Sequence, residues 1–185
     1  MSPLTYQEQF LVDTFKDARM IEKEFGLSHR ATLTQAAHES GWGKFAPGNM
    51  FFGVKDTDGV NGNEQLITTT EYHSRADVKY PVIISVTPTT KDGRKMFRYK
   101  IKDYFRKYAT PADCFRDHAL FLSPKQNPRY AAAWQVRHEP LEFFGKIAKA
   151  GYATDPNYYT LLSQILKSVD LRLNSLSDRK YITYT

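Results

Sequence analysis

The chain has 185 residues, 41% of them apolar and 25% charged, a length and balance suited to one globular domain with a substantial core. Its net charge of +6 and pI near 9.3 favour a polyanionic partner: nucleic acid, an anionic membrane surface or a bacterial wall. The single cysteine, Cys114, excludes an internal disulfide framework and a cysteine-built zinc site, and reads as a small core residue.

The opening stretch "MSPLTYQEQFLVDTFKDARM" carries acids and glutamines where a signal peptide needs an unbroken apolar run, so the sequence predicts no export signal. Nowhere does an apolar run approach the ~20 residues of a membrane span, and no stable membrane insertion is expected. Phe10, Leu11, Thr14, Ala18, Ile21 and Phe25 form a helical stripe between Thr5 and Gly26. Ser28 is a suitable N-cap for a second helix, "HRATLTQAAHES", stopped by Gly41. From Phe45 to about Thr90, Gly, Asn, Asp and Pro alternate with β-branched runs such as "QLITTTEY" and "YPVIISVTP". Asp92-Gly93 is a hairpin turn signal, and "KMFRYKIKDYF" behind it alternates like a strand. Helical patterns resume at "PADCFRDHALFL", with Pro111 in the first turn, and continue through "NPRYAAAWQV" and "EPLEFFGKIAKAG". "TDPNYYTLLSQILKSVDLRL" opens on a Thr154/Asp155 cap and carries a stripe of Tyr158, Leu161, Leu162, Ile165 and Val169. The pattern predicts an α+β fold, mostly helical, with a small inserted β element. Residues 1–172 are expected to form one domain and residues 173–185 a loose C-terminal tail.

Glu39 is the first candidate for chemistry. It falls in the last turn of the second helix, where the helix dipole disfavours an ionised carboxylate. Apolar neighbours penalise the charge further. Both effects raise a carboxyl pKa, as a general acid near neutral pH requires. Gly41 and Gly43 permit a tight turn around Trp42. A carboxylate swung out into solvent also fits this position, and charge and position alone favour that plainer reading. A metal reading fails, because "HES" lacks a second histidine four residues on and the other histidines have no ligand spacing. Glu71 in "ITTTEYHS" is a second acid, placed by strand alternation on the face opposite Thr70 and Tyr72. Two carboxylates from separate lobes are the minimal kit for cleaving a glycosidic bond.

"AHESGWGK", "NMFFGVK", "TTTEY", "NPRYAAA" and "GYATDPNYY" occur in this order. Together they closely resemble the glycoside hydrolase family 73 peptidoglycan hydrolases, endo-β-N-acetylglucosaminidases typified by the flagellar rod-cap muramidase domain. The likeness runs from about Thr5 to Val169. It implies a lysozyme-like helical lobe, with a β-lobe forming one wall of a substrate cleft. It also implies that Glu39 of "ESGWG" is the proton donor and Glu71 of "TTEY" the second carboxylate. An assisting aromatic hydroxyl would be Tyr130 of "NPRYA", with Tyr152 of "GYATDP" as the other match. Trp42, Phe52, Tyr72 and Tyr152 would contact the glycan. Two departures stand out: Met50 occupies a place usually held by Asn, with Asn49 one residue earlier, and "SRADVKYPVIISVTPTTKDGRK" makes a long β-lobe.

The reaction so implied is hydrolysis of the β-1,4 bond after N-acetylglucosamine in peptidoglycan glycan strands, needing no metal or organic cofactor. Either Glu71 activates a water, with inversion, or the substrate's acetamido group attacks. The competing readings are a lytic transglycosylase, a non-catalytic wall-binding module, and a basic nucleic-acid binder, for which no binding motif is present. A monomer acting on the cell wall, periplasmic or extracellular, is expected, with a phage- or prophage-type lysin as the favoured origin.

Overall fold

Thr5 opens the first helix, α1 (Tyr6–Phe25), through a capping box: its hydroxyl accepts from the Glu8 amide, and the Glu8 carboxylate accepts from the Thr5 amide at 2.8 Å. Gly26, at φ 69°, closes it in the left-handed conformation that glycine adopts without strain. In this computed structural model, which describes residues 3–184, five further helices follow. They are α2 (His29–Ser40), α3 (Pro111–Leu122), the short α4 (Ala131–Trp134), α5 (Pro140–Lys149) and α6 (Tyr158–Asp178). Between α2 and α3 lie three strands, β1 (Glu64–His73), β2 (Val82–Lys91) and β3 (Arg94–Arg106). The chain forms two compact units: Gly53–Lys107, and a helical unit built from the residues on either side of it.

In the helical unit, α2 is the central element and packs against α1 and α6. Its run Ala31–Ala37 is buried without interruption, so α2 has no solvent stripe until its C-terminal turn. Ser28 precedes it as expected, although its side chain makes no capping bond. Thr110 caps α3 through a second capping box with Asp113, and Pro111 takes the first turn. Cys114 is buried on α3, and burial pushes its thiol up to about 12, which suits the expected core role.

Three helical expectations are corrected. "NPRYAAAWQV" begins as a 3-10 turn, Pro128–Tyr130, and only Ala131–Trp134 is α-helical. α6 opens at Tyr158 rather than on a Thr154/Asp155 cap, because Asp155 Oδ1 accepts the Asn157 amide at 2.8 Å and turns the chain first. The loose tail expected from residue 173 is helix as far as Asp178. Leu166, Leu173 and Leu176 carry the buried stripe onward, Leu161 and Ile165 are only half-buried, and Ile182 is buried beyond the helix. Met1, Ser2 and Thr185 lie outside the described residues.

The second unit is a three-stranded antiparallel sheet in the order β1-β3-β2. Asp92 (φ 50°) and Gly93 (φ 73°) form the two-residue turn between β2 and β3. Central β3 alternates between exposed Arg98, Lys100, Lys102 and Tyr104 and buried Tyr99, Ile101 and Phe105, so β1 and β3 have one wet and one covered face, while β2 is exposed along nearly its whole length. On the covered face, residues after β1 fold back over Tyr99, whose hydroxyl accepts from the Val78 amide and donates to the Arg75 carbonyl.

Candidate active site

Glu39 sits one residue before the end of α2, and the turn behind it explains its glycine-framed tryptophan. Gly41 (φ 59°), Trp42 (φ 61°) and Gly43 (φ 80°) are three consecutive left-handed residues. A side chain at Gly43 would also meet the Phe10 ring at 3.1 Å. Ser40 ties the turn together, its hydroxyl donating to the Ala36 carbonyl and accepting from the Gly43 amide at 2.8 Å. Trp42 tolerates the strained backbone because its ring is held, edge-on to Phe10 at 5.8 Å and beneath the Arg172 guanidinium at 5.6 Å.

Glu39 is exposed to solvent, with one carboxyl oxygen turned onto the protein. Tyr158 donates its hydroxyl to Glu39 Oε1 at 3.0 Å and accepts from Gln35 Nε2 at 3.2 Å. Lost hydration raises the Glu39 pKa above the ordinary carboxylate range, while the Tyr158 bond and the neighbouring His38 act the other way without offsetting it. Burial first, and then the nearby Glu39, raise the Tyr158 pKa as well, so this hydroxyl keeps its proton and remains a donor. Behind it, Tyr152 stacks on Tyr158 with centroids 5.6 Å apart and pairs through its hydroxyl with His118 Nε2 at 2.9 Å. Burial holds His118 down to about 3, hence neutral, and its ring stacks on Phe52 at 3.7 Å. A line of contacts results behind the carboxyl: tyrosine, tyrosine, neutral imidazole.

Tyr158 entered the sequence reading only as a stripe residue. It is the hydroxyl that bonds Glu39, while neither Tyr130 nor Tyr152 makes a hydrogen bond to that carboxyl. Tyr130 is fully buried, 6.2 Å from the Tyr152 ring, and its hydroxyl has no hydrogen-bond partner among the described residues. Tyr152 spends its hydroxyl on His118. Phe52, expected along the glycan, is core, because His118 and Phe115 take both its face and its edge. Asn49 directs its amide to the carbonyls of Tyr108 and Ala109 at 3.0 and 3.1 Å, clasping the two chain segments that flank the insertion. One signal pointed to Tyr158: "GYATDPNYY" places it in the first turn of a helix, beside exposed Tyr159.

Substituting Tyr158→Phe removes a bond that favours the ionised form of Glu39. Its pKa should then rise further, and a rate that needs the protonated acid should persist to higher pH. The basic limb of kcat/KM against pH is expected to move upward, with the plateau within about tenfold of the parent. A limb that stays still or moves down would refute the assigned contact.

Within the sheet unit, Glu71 lies on the half-buried face of β1, with Tyr72 on the opposite, wet face. Lys55 Nζ stands 3.3 Å from Glu71 Oε1 and 2.9 Å from Asp103 Oδ2. Burial disfavours the Lys55 charge, but Asp103 and Glu71 together more than offset this and raise its pKa. Glu71 therefore occupies a built ion-pair cluster rather than a free strand edge. Tyr72 faces away from it and meets Lys91 Nζ at 4.3 Å from its ring centroid. Among the described residues, no group of three or more His, Cys, Asp or Glu side chains is placed to hold a metal ion, and no helix is long and apolar enough to cross a membrane.

Residues 15–171 match the glucosaminidase family, described as mannosyl-glycoprotein endo-beta-N-acetylglucosaminidase. The chain is 32% identical over 187 residues to the peptidoglycan hydrolase FlgJ of Salmonella typhimurium, covering 96% of this chain and 50% of that protein. It is 28% identical over 178 residues to the exo-glucosaminidase LytG of Bacillus subtilis, covering 89% of this chain and 52% of that one. It thus spans about half the length of these curated relatives. The glycoside hydrolase domain of Salmonella typhimurium FlgJ superposes with a TM-score of 0.68 at 28% identity, over 94% of each chain. The catalytic domain of the Listeria monocytogenes autolysin Auto shares the fold, with a TM-score of 0.66 at 23% identity over 94% of this chain and 89% of that one.

Fold and relatives together define a lysozyme-like glycoside hydrolase domain. Within that class, the chain belongs to the glucosaminidase family, glycoside hydrolase family 73.

Proposed function

We propose that this chain hydrolyses the β-1,4 glycosidic bond after N-acetylglucosamine in peptidoglycan glycan strands, acting as a monomer at the cell wall, with Glu39 as general acid. The observation that carries the reading is the Glu39 carboxyl itself, desolvated, raised in pKa and held by a protonated tyrosine, in a chain of the glucosaminidase family. Such a carboxyl holds its proton to higher pH than an ordinary carboxylate and can pass it to the departing sugar oxygen as positive charge develops at the anomeric carbon. Two of the relatives support the substrate by their names, peptidoglycan hydrolase and exo-glucosaminidase.

Glu71 is the proposed second carboxylate. Its pairing with Lys55 fixes the side chain and supports a defined role, either activating water or steadying the substrate's acetamido group. Tyr158 takes the place of Tyr130 as the assisting hydroxyl, by its bond to Glu39. Trp42, half-buried beside the Glu39 turn, and Tyr152 remain proposed walls of the sugar site.

Mass spectrometry of the soluble fragments released from purified peptidoglycan tests the reading. Ends that borohydride reduces to N-acetylglucosaminitol are expected. Anhydro-muramyl ends would assign a lytic transglycosylase instead, and binding without release would assign a non-catalytic wall module.

A further inference from the structure

The wet face of the β-sheet carries a charge pattern that glycan cleavage does not use. Arg98, Lys100 and Lys102 project from it at alternate positions of the central strand, all exposed, and none forms an ion pair among the described residues. Alternate residues on one strand face lie about 7 Å apart. Cross-strand registry sets hydroxyls on both sides of this row: Thr68 and Thr70 on β1 oppose Lys102 and Lys100, while Ser85 and Thr87 on β2 oppose Lys100 and Arg98. At the hairpin end, Tyr72, Lys91, Asp92, Arg94 and Met96 line an open depression of about 410 Å³. Lys91 lies over the Tyr72 ring there, which occupies the ring face that a nucleobase would need for stacking.

We propose that this face binds a linear polyol phosphate, a chain of phosphodiester-linked polyols such as poly(glycerol phosphate), which holds the enzyme on walls that carry it. Charge complementarity places the phosphates over the Arg98, Lys100 and Lys102 row, and a three-carbon bridge between successive phosphates spans a similar length when extended. The flanking Thr and Ser hydroxyls meet the polyol oxygens, and Lys91 with Arg94 receives a further phosphate in the depression. Tyr72, matched by resemblance to the glycan site yet turned away from Glu71, belongs to this surface. The biological setting rests on the proposed function; the binding surface does not.

The test is titration of the full chain with lipid-free poly(glycerol phosphate) between about 50 and 200 mM salt. The parent protein should bind, with affinity falling steeply as salt rises. Arg98→Gln/Lys100→Gln/Lys102→Gln should weaken binding about thirtyfold and flatten the salt slope by about two. Its thermal unfolding and its cleavage of short soluble glycan fragments should match the parent. A control with equal charge loss on the helical unit, Lys16→Gln/Lys23→Gln/Lys167→Gln, should stay within about threefold of parent affinity. Equal losses in both variants would reduce the effect to net charge and overturn the proposal. So would no binding by the parent, or tighter binding to single-stranded DNA or to phosphatidylglycerol vesicles. Failure of the parent to cleave glycan fragments would instead strike the proposed function and leave the binding result intact.

Discussion

Replacing Glu39 with Gln should lower the release of soluble fragments from peptidoglycan by about 10³-fold, with little change in thermal stability. Gln keeps the shape and can still accept the Tyr158 hydroxyl bond through its amide oxygen, so the α2 turn is undisturbed. What it lacks is a transferable proton. The uncatalysed departure of a sugar alkoxide is slow because negative charge accumulates on the leaving oxygen, and only an acid placed there relieves it. Glu39→Asp makes a useful companion. It retains the proton but shortens the reach and loses the Tyr158 contact, so activity should fall less than for Gln while remaining well below the parent. The measurement is initial release rate across pH, with circular dichroism as the folding check. Near-parent activity in the Gln variant would remove Glu39 from the mechanism.

The second large effect concerns stability. Phe115 on α3 is fully buried, 5.4 Å from the Phe51 ring and 5.9 Å from the Phe52 ring. Phe115→Ala should cost about 3–5 kcal/mol, from lost transfer energy plus a cavity that the surrounding rings cannot fill. For a chain of this size the melting temperature should drop by roughly 10 °C or more. Because Phe52 also stacks on His118, and His118 holds Tyr152 beneath Tyr158, the packing defect borders the support of Glu39. Activity measured well below the new melting temperature should therefore also decline. A drop of under 2 °C in calorimetry would contradict the assigned core.

Much of the fold was legible because its signals are local. Thr5 and Gly26 fix the ends of α1, Gly41 ends α2, and Asp92-Gly93 turns the hairpin, each through backbone preferences that hold in any context. Where the reading failed, the competing interaction was also local but unrecognised, as with the Asp155 turn that delays α6. Family resemblance supplied the two carboxylates, while the partners of the aromatic residues were not legible. Phe52 and Tyr72 look equally suited to a sugar site from sequence; one is stacked on His118 in the core and the other lies on the wet sheet face.

By itself the sequence determined most of the helices, the hairpin, the family resemblance, and Glu39 as a carboxyl at the end of an apolar helix, because caps, turns and periodicity act over a few residues. Only the tertiary structure decided which hydroxyl serves Glu39. Tyr158 lies 119 positions away along the chain and is brought to it by the packing of α6 on α2. The upward shift of the Glu39 pKa has the same origin, since desolvation depends on how many groups surround a carboxyl in space and not only on its neighbours in sequence.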